Sequence, residues 1–227
     1  MRGRFRLWGV EMAAMKPEQT GPFEAKSVQA VVWDIGRVLV QWDLSRIYRR
    51  AIPDDAERAR FCATIVTEEW HFRHDAGEQI DALVEARKAE FPQHADLIEL
   101  YRRNWLDSVP GPVAGTHPLV KRLAARGVPQ FAITNFGADT WAMFRPTFPI
   151  LDHMREVVVS GVEKLVKPGR EIFDLAAERF GLAPAAMLFV DDNAANIAAA
   201  AALGWQVHHF TGDAAVLETD LAARRLI

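Results

Sequence analysis

From Val28 onward, short apolar runs alternate with segments of helical spacing, and this alternation limits the chain to very few folds. The runs are "VQAVVW", "VPQFAIT", "EVVVS", "AMLFV" and "WQVHHF". They are continuously apolar and do not alternate with polar residues, as expected of strands covered on both faces. Between them, "REIFDLAAERFG" places Ile172, Phe173, Ala176, Ala177 and Phe180 on one face and stops at Gly181. "NAANIAAAAALG" is alanine-rich, a good helix former, and ends on Gly204. Strands joined through helices require right-handed crossovers and a parallel sheet. The expected fold class is therefore α/β, a Rossmann-like three-layer core.

The alternation breaks once. Between Asp43 and about Gly115 there is no strand-like run. Helices are expected near Leu44 to Ala51, over "DDAERARFCATIVTEEWHF", over "AGEQIDALVEARKAEF" and over "HADLIELYRRNWLDSV", before "VPGPVAG" returns to the sheet. The expected organisation is a core domain of residues 28–42 and 116–227, an inserted all-helical domain of residues 43–115, and a disordered N-terminal extension over 1–27. That extension begins basic, but its apolar patch "LWGV" is far too short for a signal peptide, and Met12 or Met15 is a candidate true start. The net charge of −3 supplies no basic field for nucleic acid or acidic membranes. Cys62, the only cysteine, excludes an internal disulfide framework and a multi-cysteine zinc site and fits a reducing, cytoplasmic compartment. No apolar run is long enough to span a bilayer. Nothing in the sequence sets an oligomeric state.

In open parallel sheets ligands bind beyond the carboxyl ends of the strands. Asp34 follows the first run, Thr134 and Asn135 the second, Gly161 and then Lys167 the third, and Asp191 and Asp192 the fourth. Each has a plain reading alone: an Asp caps a helix or a turn, a Lys before Pro sits in a solvated loop, and Asn193 and Asn196 are cap and surface residues. Together they are hard to dismiss. Like charges about 4 Å apart repel by roughly 4 kcal/mol at an effective dielectric near 20. So either one carboxylate beside Asp34 is protonated or a cation sits among them. Hard oxygen ligands without His or Cys favour magnesium. A carboxylate nucleophile, a divalent cation, a lysine and a hydroxyl suit a phosphoryl group. The carboxylate attacks phosphorus, and water cleaves the acyl phosphate.

These residues resemble the haloacid dehalogenase superfamily over about Ala30 to Phe210. "VVWDIGRVLV" looks like its first motif, "FAITNFG" its second, "SGVEKLVKPGREIF" its third and "LFVDDNAANI" its fourth. The resemblance implies Asp34 as nucleophile, with Thr134 and Asn135 binding the transferred group beside Lys167. It implies a magnesium ion held by Asp34, the Gly36 carbonyl, Asp192 and Asp191, with Asn196 in support. The helical insertion stands where the family carries its C1 cap, as in subfamily IA. The subgroup looks like that of bacterial sugar-phosphate phosphatases and the N-terminal domain of soluble epoxide hydrolases. One departure matters. Family phosphatases usually carry a general acid and base two residues after the nucleophile, where this chain has Gly36. Losing such help costs roughly 100- to 10,000-fold in rate. In "HFRHDAGE", His74 and Asp75 are candidate replacements, against a plain reading as a polar turn ending at Gly77. Arg37 either points at the substrate or faces solvent. His208 and His209 are expected to be packing residues away from the mouth, and His117 a surface residue.

The leading expectation is a magnesium-dependent phosphatase that cleaves a small phosphorylated metabolite through an aspartyl phosphate. A second is a metal-independent 2-haloacid dehalogenase, in which Asp34 attacks carbon. Gly36 is compatible with that chemistry, and the paired aspartates of "VDDN" argue against it. A third is a non-catalytic binding module.

Overall fold

The structure, a computed structural model, describes residues 27–227, so the expected N-terminal extension lies, except for Ser27, outside the described residues. In chain order, strand β1 (Ala30–Trp33) is followed by helices α1 (Asp55–Thr64), α2 (Glu68–Asp75), α3 (Ile80–Glu90) and α4 (Ala95–Arg103). Then come α5 (Thr116–Ala125), β2 (Gln130–Thr134), α6 (Ala138–Phe144), β3 (Val157–Val159), α7 (Ser160–Glu163) and α8 (Arg170–Phe180). The chain closes with β4 (Met187–Asp191), α9 (Ala194–Ala202), β5 (Gln206–His209) and α10 (Ala214–Ala223). The strands form one five-stranded parallel sheet in the order β3-β2-β1-β4-β5. This is the expected α/β, Rossmann-like class.

The register explains why the apolar runs are uninterrupted. Successive strand residues face opposite sides. Val31, Trp33, Ala132, Leu188 and Val190 pack on one face with Leu119, Leu123 and Leu217 of α5 and α10. Ala30, Val32, Ile133, Met187 and Phe189 pack on the other with Ile172, Phe173 and Ala200 of α8 and α9. The polar atoms that enter this core are satisfied: Trp33 Nε1 donates to Gln130 Oε1 at 3.0 Å, and Gln130 Nε2 donates to the Val120 carbonyl at 3.0 Å. β5 departs from the expectation. As an edge strand it is only half covered, and His209 is exposed.

The segment between β1 and α5 holds, among the described residues, helices and no strand beyond isolated bridges of Val40 to Gly36 and Pro112, with corrections to the individual helices. The first expected helix is a short 3-10 turn, Leu44–Tyr48. The long "DDAERARFCATIVTEEWHF" segment is two helices. It breaks before Thr67, whose hydroxyl accepts from the Trp70 N–H and starts α2 afresh. "HADLIELYRRNWLDSV" likewise splits into α4 and a 3-10 turn, Trp105–Ser108. The interior of the insertion, including Trp70, Leu83, Val84, Ile98 and Tyr101, is continuous with the sheet's core through Val38, Leu39 and Val40. Ion pairs join α3 and α4: Lys88 reaches Glu99, and Arg102 reaches Asp81.

Candidate active site

The mouth of the sheet is built by β1 and its two neighbours. The Asp34 N–H donates to the Val190 carbonyl at 2.8 Å, so the nucleophile candidate still rides on the ladder. The chain then turns sharply, with Arg37 N–H donating to Val40 O at 2.7 Å and Val40 N–H donating to Ile35 O at 3.0 Å. Arg37 takes the left-handed conformation this turn requires, at φ 59°.

Lys167 organises the charges. Its Nζ lies 2.9 Å from Asp34 Oδ1 and 2.7 Å from Asp191 Oδ2, and donates to the Ile133 carbonyl at 3.0 Å. Burial by itself lowers its pKa, but the charges of Asp34 and Asp191 outweigh that and hold it above the ordinary lysine value. Its backbone is clamped: Asn135 Nδ2 donates to Lys167 O, and Lys167 N–H donates to Asn135 Oδ1, both at 2.9 Å. Asp191 is wholly buried and saturated. Besides Lys167 it accepts from the Asn193 N–H at 2.7 Å and from Asn196 Nδ2 at 3.1 Å. Burial pushes the Asp34 carboxyl up to about 7 against the pull of Lys167, and Asp191 and Asp192 add to the rise. Burial and Asp191 also raise Asp192, with Arg37 opposing. Asp34, Asp191 and Asp192 each offer a carboxylate oxygen within 4.8 Å of the others. One ammonium thus pairs with two of three clustered carboxylates, an oxygen-only donor set that suits a hard divalent cation.

These residues open onto a shared cleft. Asp34, Gly36, Arg37, Asn135, Lys167, Asp192 and Asn196 line it; Thr134, buried at the end of β2, and Asp191, behind Lys167, do not. Asn196 is buried, not on the surface, while Asn193 caps α9. Arg37 lines the cleft and also pairs with Glu68 of α2 at 2.6 Å, with its guanidinium 4.9 Å over the Trp42 ring. It therefore bridges the turn after β1 to the insertion. His209 is not remote from the mouth: its Nε2 lies 2.9 Å from the Asp192 carbonyl. His208 packs with Asp220 at 2.9 Å. His117 is half-buried, with Nε2 2.9 Å from the Leu39 carbonyl.

The insertion supplies the opposite wall. Asp75 lines the cleft and His74 does not. His74 Nε2 sits 3.1 Å from Thr140 Oγ1 and Nδ1 2.7 Å from the Glu78 carbonyl, with the ring so close over Gly137 that a Cβ there would meet it at 2.0 Å. His74 locks the insertion onto α6. The histidine in the cleft is His71, one turn before Asp75, and that i, i+4 spacing was the available signal. Burial lowers His71 to about 4, so its ring is neutral. Its Nδ1 is 2.6 Å from the Tyr101 hydroxyl, whose own pKa burial raises well above the usual phenol value. The phenol keeps its proton and donates to Nδ1, so we assign the imidazole proton to Nε2, 3.5 Å from Asp75 Oδ2. Burial raises Asp75 to about 7, with His74, the Gly137 N–H and Lys167 opposing. Trp42, Trp105 and Phe136 complete an aromatic wall that sequence reasoning missed.

The family model of haloacid dehalogenase-like hydrolases matches residues 28–204. A sesquiterpene phosphatase, astK, of Aspergillus oryzae is 24% identical over 210 residues, covering 88% of this chain and 96% of its own. A haloacid dehalogenase family enzyme of Bacteroides thetaiotaomicron, solved with magnesium and inorganic phosphate, superposes with a TM-score of 0.62 at 18% identity, covering 84% of this chain and 98% of its own. The L-2-haloacid dehalogenase of Xanthobacter autotrophicus with covalently bound chloropropionic acid gives a TM-score of 0.59 at 16% identity, covering 88% of this chain and 84% of its own. With its parallel sheet, its ordered strand ends and this match over most of its length, the chain belongs to the haloacid dehalogenase-like hydrolases.

Proposed function

We propose that the protein is a magnesium-dependent phosphatase that transfers the phosphoryl group of a small phosphorylated metabolite to Asp34 and then to water. The observation that carries this reading is the cluster of Asp34, Asp191 and Asp192 around the ammonium of Lys167. Metal-free attack on carbon does not need a carboxylate pair to hold a cation beside the nucleophile. Asp34, Asp192 and the Gly36 carbonyl are the groups that would hold the magnesium, with Asp191 behind them. When bound, the ion neutralises charge on the phosphoryl oxygens. Asp34 attacks phosphorus, Lys167 balances the charge that develops on the transferred group, and Asn135 borders the place that group takes, while Thr134 stays buried behind the cleft. Asn135 acts chiefly by fixing the backbone of Lys167. The aromatic wall of Trp42, Trp105 and Phe136 favours an apolar leaving group, in keeping with the relative named a sesquiterpene phosphatase. We also place the insertion in the role of a cap over the site.

The test is a panel of phosphate monoesters assayed with magnesium and with EDTA, beside an Asp34→Asn control. Magnesium-dependent phosphate release that the control lacks is expected. Silence across the panel counts against the reading. Halide release from a 2-haloacid that persists in EDTA would instead favour the dehalogenase alternative, with which Gly36 is compatible.

A further inference from the structure

We propose that Asp75, carried by α2 of the insertion, is the general acid and base of this site and performs the proton transfers that Gly36 cannot. The proposal rests on the phosphatase reading. Among the described residues lining the cleft, those of the sheet have no proton to lend: Asp34 is the nucleophile and the Lys167 ammonium already faces three acceptors. Asp75 stands on the opposite wall and is 7% exposed. Its Oδ1 is buried and completes no hydrogen bond among the described residues; the nearby Gly137 N–H lowers the carboxyl's pKa without meeting hydrogen-bond geometry. Leaving a buried polar atom unpaired typically costs about 1–3 kcal/mol. A turn of the carboxyl group that brings Oδ1 to a leaving-group oxygen or a water in the cleft would satisfy it. Its Oδ2 faces the Nε2–H of a neutral His71 that Tyr101 holds in that tautomer.

The position is fixed from the sheet side as well. Ser160 Oγ donates to the Asp75 carbonyl at 2.6 Å and accepts from the Phe136 N–H at 2.9 Å. The charged and titratable groups around Asp75 are His71 and His74 on its own helix, Tyr101 on α4 and Lys167 from the loop after α7.

The proton balance closes over two steps. As Asp34 bonds to phosphorus and the ester P–O bond breaks, Asp75 passes its proton to the departing oxygen and is left as a carboxylate beside His71. Water then attacks phosphorus and gives its proton to Asp75, and the P–O bond to Asp34 breaks. Inorganic phosphate leaves and both carboxyl groups are restored.

The experiment compares first-turnover rates of two esters: p-nitrophenyl phosphate, whose leaving group needs no proton, and the alkyl phosphate that the wild type hydrolyses fastest. Asp75→Asn is expected to slow the alkyl ester by about 100-fold or more and p-nitrophenyl phosphate by less than about 10-fold. Asp75→Ser gives the same comparison if the amide does not fold. Position 36 provides a rescue. A Cβ added at Gly36 would meet no atom within 4 Å, so Gly36→Asp is sterically open and should restore alkyl turnover to the Asp75→Asn protein. A merely structural role for Asp75 would not be repaired there. Equal loss on both esters, or no loss, overturns the proposal while leaving the phosphatase reading intact. A wild type that hydrolyses neither ester removes that reading and the proposal with it.

Discussion

The two walls of the cleft follow different physics. The sheet wall is a charge lattice in which one buried ammonium is matched to the carboxylates of Asp34 and Asp191. The insertion wall holds a buried carboxylate oxygen that completes no hydrogen bond among the described residues, beside a neutral imidazole and the Trp105 ring. The first arrangement is suited to hold a phosphoryl group still. The second is suited to move a proton, because burial without full pairing keeps a carboxyl group near its neutral form.

The largest effect expected of this division is at the nucleophile. Asp34→Asn should abolish phosphate release, a loss of about 10,000-fold or more in kcat, whereas no single substitution on the insertion wall should do so. Next in size is Lys167→Met. It strands Asp34 and Asp191 as buried charges, and breaking a buried pair in this way costs about 3–5 kcal/mol. Urea unfolding should show that loss. By contrast, Arg102→Ala in the ion-paired surface of the insertion should cost less than about 1 kcal/mol.

Asp75→Asn should behave oppositely to Lys167→Met. The folded carboxyl titrates at about 7, against an ordinary value of 3.8. Between these values the folded chain holds a proton that the unfolded chain has released, so wild-type stability falls as pH rises through that window. The amide carries no such penalty. The variant should therefore be more stable than the wild type at pH 8, by about 4 kcal/mol, and the difference should vanish near pH 4. Thermal melts at the two pH values check this; a variant less stable at pH 8 would mean that Asp75 is kept for structure.

The smallest effect belongs to the bridge between the walls. Glu68→Gln removes an exposed partner of Arg37 and should change stability by less than about 1 kcal/mol while altering KM.

The same contrast explains what could be read in advance. A parallel sheet brings the carboxyl ends of its strands together whatever the side chains do, so Asp34, Lys167 and Asp192 were legible from order alone. Asp191 and Asp192 look equivalent in sequence. They separate because Asp191 closes β4 and turns toward Lys167 and Asn196, while Asp192 lies one residue past the strand. In the insertion, the side of α2 that faces the cleft depends on packing between distant residues. Trp70 meets Tyr101 with ring centroids 4.8 Å apart, and Ser160 holds the Asp75 carbonyl. No local pattern contains those contacts. Hence sequence adjacency pairs Asp75 with His74, which faces Thr140, although His71 is the histidine that shares the cleft with it.

Rapid-quench capture of the phosphoenzyme in Asp75→Asn tests the division of labour most directly. With p-nitrophenyl phosphate the first step needs no acid, but cleavage of the acyl phosphate lacks its base. Phosphate should therefore accumulate on Asp34, mapped by peptide mass spectrometry after borohydride reduction, to a level well above that of the wild type. Accumulation no greater than in the wild type, with p-nitrophenolate still released in the first turnover, would contradict a proton-transfer role for the insertion.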